Sequence, residues 1–302
     1  LRGGERAVID NPWPGPPPDR AVDRGRFLGR EELARRVTEA ILGHRSTTLY
    51  GPDGAGKTSL LAASVLPLLG GAHDARVVHV RDWPLDRDPT ATLARALYTD
   101  LRVTPPAADL PPHEATLDAV KRAVRASPRL LILCLDQLEQ LFTAGRAGVG
   151  TGSLFACVEQ IVDLPTRPVR ILLSFQEEYL GRFIEHQGGR LRLMECSFRV
   201  GHLTVAELCP LICRIAAMGL PAQAWFPDDV LPWLIEMRLH DQPESDRAEV
   251  RMAYVQSFFR AQFERRAEGK SMESTAVRRE MGALVERTVI DLEVPDEPEE
   301  TR

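Results

Sequence analysis

Residues 45–61 read Arg-Ser-Thr-Thr-Leu-Tyr-Gly-Pro-Asp-Gly-Ala-Gly-Lys-Thr-Ser-Leu-Leu. The stretch opens with β-branched residues typical of a strand, continues as Gly-x-x-x-x-Gly-Lys-Thr, and ends in apolar residues typical of a helix start. Glycines at 51, 54 and 56 allow positive φ angles and let the backbone approach a phosphate without a Cβ in the way. Backbone N–H groups at the start of a helix attract anions. The stretch therefore predicts a phosphate-binding loop.

Individual side chains of this loop have predicted roles. We expect Lys57 to reach the β- and γ-phosphates of a nucleoside triphosphate, and the Thr58 hydroxyl to bind Mg²⁺. The alternative is a Gly-rich turn that matches the motif by accident, and the strand before and helix after it disfavour that interpretation. The candidate nucleotide-binding residues are Gly51, Pro52, Asp53, Gly54, Ala55, Gly56, Lys57, Thr58 and Ser59.

The composition of the chain limits the number of domains and disfavours nucleic-acid binding, membrane binding and a structural metal site. Its 302 residues, 44% of them hydrophobic, are enough for one large domain and a smaller one. A formal net charge of −5 gives no global attraction to nucleic acid or to an anionic membrane. The five cysteines show no metal-ligand or disulfide spacing, and no apolar run is long enough to span a membrane, which predicts a cytoplasmic location. Because the first residue is Leu, we expect the sequence to be a piece of a longer protein.

Three further strands are predicted, over residues 76–80, 129–136 and 168–175. The run at 129–136 is apolar without alternation, which is typical of a strand buried on both faces of a parallel sheet, and it ends in Asp136. Ligands of α/β sheets bind at the carboxyl ends of the strands, so we expect Asp136 to hold Mg²⁺ together with Thr58. The alternative is an Asp that only begins a turn.

The order of elements predicts the architecture. Strands that alternate with helices indicate an α/β P-loop NTPase fold with a doubly wound parallel sheet, and helical periods beyond residue 203 indicate a smaller all-α domain. In the Pro-rich N-terminal segment, we expect Trp13 to anchor an extended strap on the domain surface; the alternative is a polyproline ligand for another module. The predicted divisions are a lead-in over 1–24, an NTPase domain over 25–203, a helical domain over 204–292 and a disordered acidic tail over 293–302.

Four more motifs accompany the loop: Phe27-Leu-Gly-Arg-Glu31, Asp136-Gln-Leu-Glu-Gln-Leu-Phe-Thr143, Leu173-Ser-Phe-Gln-Glu-Glu-Tyr-Leu180 and His202-Leu-Thr-Val-Ala-Glu-Leu208. Together with the loop they resemble the bacterial STAND class of signal-transduction ATPases, in particular its novel STAND NTPase group, which is related to the AAA+ ATPases. The resemblance covers roughly residues 10–260. Its most group-specific part is the stretch that begins at Asp136.

The resemblance implies a nucleotide-operated switch, with ADP in a closed resting state and ATP in an open state that oligomerises. It implies ATP or ADP and Mg²⁺ as cofactors, self-association through the NTPase module, and effector and sensor domains outside this sequence. The implied setting is signal transduction or antiviral defence. It also places Gly29 and Arg30 against the adenine, where the lead-in segment of many P-loop ATPases lies, and it alone favours adenine over guanine.

Two departures from the family pattern concern hydrolysis. Family members often carry Arg where Gln176 stands, and a Gln can bond a phosphate without offsetting its charge. Related AAA+ ATPases carry a catalytic Glu at the place of Gln137, so Glu139 is the nearby acid that could polarise a water. The alternative is that Glu139 stabilises the first turn of the next helix. We predict firm nucleotide binding and slow or absent hydrolysis, with Glu139 and Gln176 as the catalytic candidates.

Two functions of different classes follow. The leading hypothesis is an ATP-binding switch module, and the alternative is a scaffold that uses the nucleotide only to lock its fold. A nucleic-acid motor is disfavoured, because a basic groove and an adjacent Asp-Glu pair are missing. Among the other residues, we interpret His79 as a core histidine. We interpret residues 190–193 as a solvated strand face, and the alternative is a phosphate contact supplied in trans. Gly219-Leu-Pro221 either contacts the nucleotide or ends a helix.

Overall fold

A computed structural model describes residues 11–13, 28–105, 110–143, 150–164, 169–186, 192–219, 225–239 and 241–267. The chain divides into two compact units. One is Asp19–Gly201, and the other combines Leu1–Pro18 with His202–Arg302. The N-terminal segment therefore belongs to the same unit as the C-terminal part of the chain.

The first unit contains a five-stranded sheet in which every pairing is parallel. Its strands are β1 (Ser46–Gly51), β2 (Arg76–Val80), β3 (Leu131–Leu135), β4 (Val169–Gln176) and β5 (Ser197–Arg199), in the order β2-β3-β4-β1-β5. Parallel pairing brings the carboxyl ends of all strands to one edge. At that edge Gly51 of β1 lies opposite Gln176 of β4. The predicted α/β architecture is confirmed.

Helices pack on this sheet through two buried clusters. Alternate residues of β3 point to opposite faces, so that Leu131, Leu133 and Leu135 enter one cluster, whereas Ile132 and Cys134 enter the other. This explains why the sequence of β3 is apolar without alternation. The helices are α1 (Glu31–Gly43), α2 (Lys57–Leu60), α3 (Leu66–Gly71), α4 (Pro89–Asp100), α5 (Pro112–Ala126), α6 (Thr151–Val162) and α7 (Leu180–His186), and a π-helical stretch, Leu61–Val65, joins α2 to α3.

One segment of this unit differs from its sequence-based expectation. Residues 192–194 form a short 3₁₀ helix, so the prediction of a solvated strand over 190–193 is wrong for its described part. The strand nearby is β5, whose three residues are exposed, half-buried and exposed in turn. It pairs with β1 at the edge of the sheet. A strand this short has too few residues for a recognisable period.

The second unit is mostly helical, with α8 (Val205–Gly219), α9 (Pro227–Glu236) and α10 (Met252–Ala267). It also contains a short antiparallel pair, β6 (Leu203–Thr204) with β7 (Glu249–Val250), which helical periods in the sequence do not reveal. The predicted helix over 275–290 and the acidic tail lie outside the described residues. None of the helices in the described ranges combines the length and apolar character that a membrane crossing requires.

The N-terminal strap of this unit, residues 11–13, lies on α10. Trp13 is buried and stacks on Phe259, with 5.2 Å between the ring centroids. The Asn11 side-chain amide donates to the carbonyl oxygen of Arg260 at 3.2 Å. Trp13 therefore anchors the strap as expected, and α10 is the element that it is anchored to.

Candidate nucleotide-binding site

The phosphate loop begins where β1 ends, and its glycines serve two purposes. Gly54 and Gly56 have positive φ angles of 69° and 85°, as the motif predicts. Gly51 is not among the residues with positive φ, so that part of the prediction is wrong. A methyl group at Gly51 would instead overlap the carbonyl oxygen of Val200, which follows β5. Glycine is required at position 51 because a neighbouring segment passes directly over it.

Lys57 is held inside the loop that it follows. Its ammonium group is mostly buried and donates to the carbonyl oxygens of Gly51 at 2.8 Å and Pro52 at 2.9 Å. Burial lowers its pKa, against the opposing attraction of nearby carboxylates, of which Glu139 is the strongest. An ammonium group has three hydrogens, and these two bonds use two of them. One donor therefore remains for a phosphate oxygen.

Asp136 follows β3 directly, and its side chain is 1% exposed. Burial alone would raise the pKa of this carboxyl, but interactions with His79, Ser174 and the Thr58 hydroxyl bring the pKa below its ordinary value. The His79 Nε2 lies 3.4 Å from Asp136 Oδ2. An ionised carboxylate beside a threonine hydroxyl is a pair of oxygen ligands suited to Mg²⁺.

His79 departs from its sequence-based interpretation as a core histidine. It is half-buried in β2, and its partner is the carboxylate predicted to bind the metal. The sequence carries one usable signal for this contact. His79 lies one residue before the end of β2, opposite Cys134 in β3, and thus near the ligand-binding edge of the sheet.

Glu139 lies in the short 3₁₀ helix Leu138–Leu141 that follows Asp136. Burial raises its pKa, although its own backbone N–H and the Lys57 charge oppose that change. The Glu139 carboxylate also accepts the backbone N–H of Gln176 at 3.3 Å. The carboxyl whose charge acts most strongly on the loop lysine therefore has a raised pKa and is linked to the end of β4. A raised pKa suits a group that takes up a proton.

Gln176 joins the phosphate loop to this acid. Its side-chain amide donates to Asp53 of the loop at 3.2 Å, while its backbone N–H donates to Glu139. The structure therefore brings both catalytic candidates into one chain of hydrogen bonds that ends at the loop.

The turn after Asp136 is fixed by glutamine side chains. Gln137 has a left-handed backbone, with φ of 56°, and its side-chain oxygen accepts from the Gln140 amide at 2.7 Å. The Gln140 amide also donates to the Arg81 carbonyl at 3.2 Å and accepts the Trp83 N–H at 3.1 Å. The Trp83 indole donates to the Asp136 carbonyl at 2.8 Å. The sequence gives no local sign of the contacts with Arg81 and Trp83, because these residues lie more than fifty positions from their partners.

Gly29 and Arg30 lie just before α1. The Gly29 N–H donates to the Glu31 carboxylate at 2.8 Å. The Arg30 guanidinium donates to the backbone carbonyls of Ala55 at 3.2 Å and Gly201 at 2.6 Å. Arg30 thus contacts the phosphate loop itself. A contact between these two residues and an adenine remains a prediction.

The residues of the phosphate loop, together with Asp136, fit a nucleoside triphosphate with Mg²⁺. Helix α2 begins after Gly56, and no described side chain caps it, so its first N–H groups face the concave loop. These groups and Lys57 supply donors and positive charge for phosphate oxygens. Thr58 and Asp136 would supply oxygen ligands for a metal bound there.

Comparison with known proteins agrees with this site. The family model described as Novel STAND NTPase 1 matches residues 12–231. The chain belongs to this family. A comparison with curated protein sequences finds no match. Membership in the novel STAND NTPase 1 family accounts for the phosphate loop and for the acid after β3, and it supports a nucleotide-binding module.

Solved structures give the same fold at low sequence identity. The Aeropyrum pernix ORC2 protein, in ADPNP–ADP complexes, is 17% identical with a TM-score of 0.63, over 92% of this chain and 71% of that one. The HORMA:CdnC:Trip13 complex of E. coli MS115-1 contains a chain that is 11% identical with a TM-score of 0.55, over 88% and 91%. The Aeropyrum pernix ORC1 protein in complex with DNA is 19% identical with a TM-score of 0.54, over 85% and 65%. Identities this low carry the P-loop ATPase fold alone.

Proposed function

We propose that this chain is the ATP-binding switch module of a bacterial STAND signalling or defence protein. Binding and slow hydrolysis of Mg-ATP would drive a conformational change and self-association. The observation that carries this proposal is the chain of contacts from Asp53 through Gln176 to Glu139. A γ-phosphate that reached Gln176 would compete with Asp53 for the same amide, and this competition would link the phosphate state to the end of β4.

Each residue of the site has a part in binding. The backbone N–H groups at the start of α2 and the Lys57 ammonium would bind phosphate oxygens, while Thr58 and Asp136 would hold the metal. When bound, Mg²⁺ offsets phosphate charge and orients the oxygens. His79 lies 3.4 Å from the Asp136 carboxylate and is one of the groups that lower its pKa.

Slow turnover follows from two features of the chain. The candidate proton acceptor is Glu139, whose pKa is raised by burial, in place of a Glu at position 137 as in the related AAA+ ATPases. Gln176 offers an amide where a charged arginine would stabilise the charge that develops on the γ-phosphate. We therefore expect turnover well below that of ATPases that carry a cation there.

A non-hydrolysing scaffold is the second candidate, and Gln137 favours it. In the related AAA+ pattern a catalytic Glu stands at this position, whereas here the side chain is an amide bonded to Gln140. If Glu139 serves only to hold the Gln176 N–H, the protein would bind nucleotide without turnover.

The nucleotide that co-purifies with the protein tests both candidates. Release by denaturation followed by chromatography identifies it, and turnover is then measured with Mg-ATP for the wild type, Lys57→Ala and Glu139→Gln. Bound ADP with slow turnover that both substitutions abolish supports the switch. Tight ATP without turnover favours the scaffold. No bound nucleotide, no affinity for added Mg-ATP, and no effect of Lys57→Ala would refute both.

A further inference from the structure

The segment Arg199–Gly201, which we call the exit segment, is where the chain leaves the first unit. It is in direct contact with the start of the phosphate loop. The Val200 N–H donates to the Tyr50 carbonyl at 2.7 Å, and the Val200 carbonyl lies over Gly51 so closely that a side chain there is excluded. The last residues of this unit therefore cannot shift without disturbing the residues that begin the loop.

Arg30 makes a second connection between the same two segments. One nitrogen of its guanidinium, Nη2, donates both to the Ala55 carbonyl inside the loop and to the Gly201 carbonyl at the end of the exit segment. A planar guanidinium holds such a pair of acceptors in a fixed geometry, which a flexible lysine reproduces poorly. Both acceptors are backbone carbonyl oxygens, so the contact depends on the backbone positions of Ala55 and Gly201 and not on their side chains.

A third connection runs to the end of β4. The Arg199 guanidinium forms a two-pronged pair with Glu177, at 2.7 Å and 2.9 Å. Glu177 follows Gln176, whose amide is bonded to Asp53 of the loop. The exit segment is therefore tied to both parts of the site that a γ-phosphate would touch.

We propose that Arg30 is a positioning residue that couples the phosphate loop to the exit segment. Through the exit segment it acts on the residues from His202 onwards, where the chain returns to the second unit. The proposal rests on the proposed function, because nucleotide binding supplies the displacement of the loop. His202, where the chain returns to the second unit, follows Gly201 directly in the sequence. A change in the position of the Ala55 carbonyl is thus passed through the Arg30 guanidinium to Gly201, the last residue of the first unit.

Hydrogen–deuterium exchange with mass spectrometry tests this coupling. Wild type, Arg30→Lys and Arg199→Lys are compared with and without Mg-ATP, using peptides that cover residues 53–60 and 199–208. Arg35→Lys is the matched control, because Arg35 lies on α1 and pairs at the surface with Glu32 and Glu39. Isothermal calorimetry gives the nucleotide affinity of each variant, and thermal melting confirms that each is folded.

In wild type and in the control, Mg-ATP should slow exchange in both peptides. In Arg30→Lys, the change in 199–208 should be lost even when Mg-ATP saturates the variant, as judged from the affinity measured for that variant. Arg199→Lys should reduce that change in part.

Two results would overturn the coupling. An unchanged response of 199–208 in Arg30→Lys would show that Arg30 transmits nothing. Loss of the response in 53–60 as well as in 199–208, at saturating Mg-ATP, would show that Arg30 holds the loop itself and does not couple it to the exit segment. If wild type itself binds no nucleotide, the proposed function fails, and the coupling fails with it.

Discussion

Gly51 stands where two requirements of the site meet. The phosphate loop begins at this residue, and the Val200 carbonyl passes over its Cα. The motif in the sequence predicts a glycine here for its backbone freedom, but the structure shows a steric reason that involves a residue about 150 positions away. Local sequence cannot reveal such a requirement.

Gly51→Ala should destabilise the first unit. The added methyl group overlaps a backbone oxygen that cannot rotate away, and overpacking of this kind costs about 1–3 kcal/mol. Urea denaturation measures the loss. Gly43→Ala is the control, because Gly43 ends α1 and nothing lies within 4 Å of an added Cβ. Equal midpoints for the two variants would contradict the close approach at Gly51.

Glu139→Gln should separate stability from activity. Burial raises the folded-state pKa of Glu139 above its ordinary value of 4.5, so the stability that its protonated form contributes is present below that value and is lost as pH rises through the folded pKa. The neutral amide avoids this loss. We expect a higher melting temperature than wild type at pH 7, with the gain shrinking towards pH 4, and turnover reduced by about a hundredfold or more. A lower melting temperature at pH 7 would be the opposite result.

At the scale of elements, β1 and β3 could be predicted because their signals are local. β3 reads as an uninterrupted apolar run since both of its faces are buried, and β1 leads straight into the loop motif. β5 could not be predicted from the sequence, because three residues are too few to show the alternation of buried and exposed residues that is typical of a strand. The contacts of Arg30 and of His79 were missed for another reason: each depends on strands that are distant in sequence but adjacent in the sheet.

Gln140→Glu tests how the turn after β3 is held. The two side chains have the same shape, but a carboxylate cannot donate to the Arg81 carbonyl or to the Gln137 oxygen. We expect a loss of about 1–3 kcal/mol in the free energy of unfolding, since buried acceptors lose their partner. Turnover should fall as well.

Urea denaturation and Mg-ATP turnover measure these effects. Gln160→Glu is the control, because Gln160 is exposed on α6 and its partner is His113. Its unfolding free energy should change by less than about 0.5 kcal/mol. Faster turnover in Gln140→Glu would mean that an acid at 140 assists hydrolysis and that the amide network is dispensable.

At the scale of the whole molecule, the chain enters and leaves the first unit from the second. Residues 11–13 and residues from 202 onwards belong to one unit, so Asp19–Gly201 is in effect an insertion within it. The sequence suggested a lead-in followed by two domains in series. Composition marks the Pro-rich segment as extended, but nothing local states which helix it packs against.

Trp13→Ala should weaken the second unit. The indole stacks on Phe259, and removal of a buried tryptophan costs about 3–5 kcal/mol. Hydrogen exchange should accelerate in peptides of α10, while peptides of β1 and β4 keep their protection. Phe226→Ala is the control, because this ring is 74% exposed. Equal acceleration in β4 would show that the strap stabilises the chain as a whole.

The strap on α10 also fixes an order of events during synthesis. Asn11 is made 249 residues before Arg260, its hydrogen-bond partner. Domains generally fold as units while the ribosome is still extending the chain. All five strands of the parallel sheet are therefore synthesised before α10, the helix on which the strap packs. The first unit, Asp19–Gly201, can fold first. The second unit folds last, because the strap at residues 11–13 packs on α10 only after α10 has been synthesised.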